Sequence, residues 1–68
     1  MIIEFYDSEN VYGRIETEEN PEKIEELLNE YRKKNQEDYN IGDFYKYLEE
    51  EGIKFINKWI EVDKSIYF

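Results

Sequence analysis

The chain has 68 residues, and its 18 Asp and Glu outnumber its 9 Lys and Arg, for a net charge of −9. It contains neither Cys nor His, which excludes a disulfide framework, a Cys-based zinc site and the usual general base at neutral pH. Aromatic residues make up 18%, more than a disordered acidic chain carries, so one folded domain over 1–68 is expected.

Met1 to Tyr6 is apolar and β-prone, and Asp7-Ser8-Glu9-Asn10 is a cluster of turn formers. In Val11 to Thr17, alternation puts Val11, Gly13 and Ile15 on one face and Tyr12 on the other. Two such runs around a four-residue turn predict a β-hairpin. Gly13 marks a bulge or a place where something packs closely. Asn20-Pro21 then starts a helix, because Asn caps and Pro lacks the N–H that would go unpaired there. Ile24, Leu27, Leu28 and Tyr31 follow at helical spacing, predicting a helix over about 21–36. Its acids come early and Arg32, Lys33 and Lys34 come late, as the helix dipole favours.

Asn40 with Asp43 resembles a capping box, and Tyr39 and Phe44 take the staple positions around it. The stripe Ile41, Phe44, Tyr45, Leu48 predicts a second helix over about 41–51. Gly52 supplies a left-handed terminus, and Ile53 would fold back on Leu48. Beyond it the pattern is β again, with a turn or bulge at Asn57-Lys58 or a hairpin over Asp63-Lys64, giving one or two strands. The expected fold is a small two-layer α+β domain. Its order is ββαα followed by one or two strands, with both helices on one face of an antiparallel sheet.

Little in the sequence points to chemistry. Ser8, Thr17 and Ser65 have no patterned base, and Gly13, Gly42 and Gly52 are isolated, so no phosphate-cradling loop is formed. Glu18-Glu19, Glu49 to Glu51 and the run Asp38 to Asp43 offer carboxylates, but Ile41 interrupts the last where a hard-cation loop needs another oxygen. The expectation is a protein without catalysis, metal or cofactor.

The surface says more. With its stripe turned inward, the first helix points Glu22, Glu26 and Asn29 outward, flanked by Glu25 and Glu30, and 22, 26 and 30 are like-charge neighbours. Tyr47 lies off the centre of the second helix's stripe, and Tyr12 and Trp59 are out of phase with their apolar neighbours. Tyr and Trp are typical anchors of interface hot spots. The four glutamates with Tyr12, Tyr47 and Trp59 are the candidate partner-binding set. An acidic surface repels phosphates and anionic headgroups, so the expected partner is a basic protein rather than nucleic acid or membrane. A small acidic interaction module is the leading reading. A nucleic-acid mimic that blocks a nuclease or other nucleic-acid-binding enzyme is the narrower one, alongside an acidic antitoxin. In being short, acidic, Cys-poor and tyrosine-rich, the chain resembles phage-type anti-restriction and anti-CRISPR proteins. An obligate homodimer pairing an edge strand is the structural alternative, since one core of this size supplies only ~3–5 kcal/mol. No stretch reaches ~18 apolar residues and the start lacks a basic leader, so a soluble cytoplasmic protein is expected.

Overall fold

The hairpin turns because Asp7 organises it: its Oδ1 accepts hydrogen bonds from the backbone N–H groups of Glu9 and Asn10, each at 2.8 Å. In a computed structural model describing residues 1–36 and 38–68, β1 (Ile2–Tyr6) and β2 (Val11–Thr17) flank that turn. They are followed by α1 (Pro21–Lys34), α2 (Ile41–Glu50), β3 (Phe55–Asn57) and β4 (Lys64–Tyr67). The α+β domain with the order ββααββ is as the sequence predicts, with two strands at the end.

Both helices start and stop on local chemistry. Asn20 accepts from the Glu22 N–H at 2.8 Å, with Pro21 at the first helical position. Asn40 Oδ1 accepts from the Asp43 N–H at 2.9 Å, while its own amide donates to the Asp43 carboxylate at 3.0 Å. The reciprocal bond of a capping box thus runs between the two side chains. At the far end Gly52 adopts φ 80°. The Gly52 N–H bonds to Glu49 O at 3.0 Å and the Ile53 N–H to Leu48 O at 2.9 Å, the two bonds of a Schellman ending. Each helix is slightly shorter than its predicted span.

The sheet order is β3-β2-β1-β4. β1 pairs antiparallel with β2, and β2 with β3, but β1 and β4 run parallel. The sheet is therefore mixed, not antiparallel throughout. The reason lies in one row of residues, because Asn57 pairs with Ile15, Ile15 with Ile3 and Ile3 with Lys64. β3 ends on the row where β4 begins. No hairpin forms over Asp63-Lys64. Instead residues 58–63 cross two strands, about three inter-strand gaps or ~14 Å, and enter β4 in the direction in which β3 ran.

The helices cover one side of the sheet. Ile3, Phe5, Ile15 and Ile66 form a single buried cluster with Ile24, Leu27, Leu28, Tyr31, Phe44 and Leu48. The crossing segment lies on the other side. Arg14, on the face away from Ile15, donates to Ile60 O at 2.9 Å. Ile2 also points that way and is buried there, its backbone held by Asp63: Ile2 N–H to Asp63 Oδ2 at 2.7 Å, and Asp63 N–H to Ile2 O at 2.9 Å.

A bulge corrects the predicted faces of β2. Phe5 pairs with Gly13 but Tyr6 pairs with Val11, so Tyr12 is one extra residue. Val11 is thereby turned outward with Tyr6 and is exposed. Tyr12 turns to the rim of the core, its ring 5.2 Å from that of Phe68. The close approach expected at Gly13 is made by the Tyr45 hydroxyl, which sits where a Cβ would be.

Candidate interaction surfaces

The apolar stripe of α1 is buried, which leaves Glu22, Glu25, Glu26 and Glu30 exposed on its other side. Glu22, Glu26 and Glu30 form a row with a rise of ~6 Å per step. Tyr47 of α2 joins this row: its hydroxyl donates to Glu30 Oε2 at 3.1 Å. Its ring lies 5.6 Å from that of Tyr31, and Lys34 Nζ sits 5.3 Å from its centre. Partial burial raises the Tyr47 pKa, and the bond to Glu30 and the nearby charges of Glu30 and Glu51 add to this, against Lys34. The phenol therefore stays protonated and a donor at neutral pH.

The other two aromatic candidates lie elsewhere. Tyr12 stands at the hairpin end, its hydroxyl donating to Asp7 Oδ2. That bond, helped by the two backbone N–H groups, holds the Asp7 carboxyl below its usual range, and it raises the Tyr12 phenol. The pair braces the turn. Trp59 lies on the crossing segment, with the Arg14 guanidinium 5.4 Å from its ring centre. Arg14 also pairs with Glu4 at 2.9 Å. The seven candidates thus separate into a helical set (Glu22, Glu25, Glu26, Glu30, Tyr47), a hairpin position (Tyr12) and a sheet-face position (Trp59).

A further group belongs with the helical set. α2 has no basic residue in its last turn and closes with Glu49 and Glu50, Glu51 being its C-cap. These acids lie at the negative end of the helix dipole, each costing roughly 0.3–1 kcal/mol where it acts fully. The signal was in the sequence, as carboxylates on the wrong side of a Gly terminus. Among the described residues no three His, Cys, Asp or Glu side chains gather to hold a metal ion, and no helix is long and apolar enough to cross a membrane. No protein-family model, curated protein or solved structure matches the chain.

Proposed function

We propose that this chain is a non-catalytic interaction module that docks the acidic outer side of its helical layer on a basic protein. The observation behind this reading is a contrast between the two helices. α1 follows the dipole rule, with acids early and bases late, whereas α2 closes with Glu49, Glu50 and its C-cap Glu51, and no base. The row Glu22-Glu26-Glu30 adds like-charge neighbours, which cost a few tenths of a kcal/mol per pair. Carboxylates kept where they lower stability are explained by a cationic surface that meets them. Tyr47, hydrogen-bonded to Glu30, gives that acidic side an aromatic anchor.

Nucleic-acid mimicry calls for two rows of carboxylates along one face. α1 supplies one row, but the acids of α2 gather at its two ends, Asp43 at the start and Glu49 to Glu51 at the finish. The geometry favours general docking on a basic surface.

The test is capture of partners from the source cells at low salt and at ~0.5 M salt, followed by mass spectrometry. The captured protein is expected to be basic and to be lost at high salt. Against that partner, the combined change Glu22→Gln, Glu26→Gln, Glu30→Gln should raise the melting temperature and slow association, because long-range steering acts mainly on the on-rate. An association rate unmoved by both the substitutions and the salt overturns the reading.

A further inference from the structure

Seven large apolar side chains are exposed among the described residues, and five of them lie on the side of the molecule away from the helices. Val11 and Tyr67 flank Tyr6 in one row across the sheet, with the Tyr6 and Tyr67 rings edge to face at 5.6 Å. On the same side Trp59 of the crossing segment lies against Arg14, Ile60 follows it, and Ile56 of β3 stands beside Glu16, beyond the Glu4–Arg14 row. Trp59 is 61% exposed, Ile56 58% and Tyr67 56%. Monomeric proteins rarely leave large apolar areas open, and five of the seven exposed apolar side chains share this side.

The charge on this side differs from that of the helical layer. Glu4 and Glu16, the acids pointing out of the sheet, are paired with Arg14 at 2.9 Å and Lys58 at 3.3 Å. Residues 55–68 hold two acids and two bases and are neutral, whereas residues 18–54 hold twelve acids against six bases. We infer that a second copy of this chain covers the outer face of the sheet. A chain of net charge −9 repels its own copy at the helical layer and meets it without that penalty only where charge is cancelled. Packing the two outer sides together, each made of the sheet and its crossing segment, sends both helical layers to the far sides. Each protomer is 18 Å thick along its short axis, so those layers stand further apart than the ~8 Å Debye length at physiological salt. The two longer extents of the molecule, 30 and 29 Å, leave room for the ~800 Å² per partner of a standard interface. A single small core without a disulfide also gains stability from such a partner.

Trp59 is the only tryptophan, so it reports on this face directly. Sedimentation from ~1 to ~500 µM should show the mass rising from 8.5 kDa to twice that. Trp59 emission should move to shorter wavelength along the same curve. Trp59→Ser and Ile56→Lys change exposed side chains, so each should keep the monomer's melt while weakening the dimer ~10-fold or more. Raising salt should tighten the dimer by screening residual repulsion, the opposite of its effect on docking to a basic protein, so the two readings fail separately. A mass of 8.5 kDa at every concentration with unshifted emission overturns the inference. So does a dimer that both substitutions leave intact, which would use another surface, or a Trp59 shift seen only on adding a different protein.

Discussion

Tyr45 and Gly13 show how one residue decides another. The Tyr45 ring packs between Phe5, at 6.2 Å, and Phe55, at 5.3 Å, and its buried hydroxyl finds no hydrogen-bond partner. It occupies the space that the missing Cβ of Gly13 leaves open, with Cζ 3.4 Å from that position. Gly13→Ala should therefore cost ~1–3 kcal/mol by overpacking. Tyr45→Phe removes the clashing oxygen, so the double variant should recover most of the loss, a coupling of ~1 kcal/mol or more in a denaturant cycle. Alone, Tyr45→Phe should cost little at neutral pH, since no hydrogen bond is lost. Burial pushes the Tyr45 phenol up to about 12 from its ordinary 10. Its contribution is complete below pH 10 and lost as pH rises toward 12, because the unfolded chain ionises first. Tyr45→Phe should flatten the alkaline fall of the denaturant midpoint. The remainder of that fall belongs to Tyr12, Tyr31 and Tyr47, which are shifted in the same direction.

The helices were the most legible elements, because their signals are local. Asn20-Pro21, Asn40 with Asp43, and Gly52 each act within a few residues of where they stand. The two helix-end glycine and asparagine effects can be separated. A Cβ at Gly52 would meet nothing within 4 Å, so its cost is conformational rather than steric. Gly52→Asn should be tolerated, since Asn accepts the left-handed region, while Gly52→Val should cost more than ~1 kcal/mol. Asn40→Ala should lose ~1 kcal/mol through its cap. Thermal melts of the three variants check this order. The strands were less legible. Alternation is a parity signal, and the single extra residue at Tyr12 inverts it, which is why alternation puts Val11 on one face with Ile15 and Tyr12 on the other. The parallel pairing of β1 with β4 depends on where a crossing segment lands, and no local pattern encodes that.

The whole molecule has two chemically distinct sides. Its helical layer carries the acidic excess, and its sheet side carries most of the exposed apolar side chains, with Glu4 and Glu16 paired to Arg14 and Lys58. The acidic row of α1 was readable because helical spacing and charge are both explicit in sequence. That Glu30 would receive the Tyr47 hydroxyl, or that Trp59 would lie across the sheet from both, required the packing of elements far apart in the chain. The seven candidates therefore looked like one set in the sequence and occupy three places in the fold. The two proposed associations have opposite expected salt dependences, which makes ionic strength the variable that assigns an observed association to one side or the other.

The parallel β1–β4 pairing bears on how the chain folds. Ile2 and Asp63 exchange hydrogen bonds across a sequence separation of 61, so almost the entire chain must be closed into a loop before β1 gains its second neighbour. Closing a loop of that length is slow relative to forming the hairpin or either helix. A chain that folds in this order holds one edge of β1 open while the other is paired with β2, and an open central edge is a template for pairing between chains. In that order residues 58–67 dock last and set the window of vulnerability to misassembly. Their docking closes the edge and buries Ile66 and Ile2 in the same event.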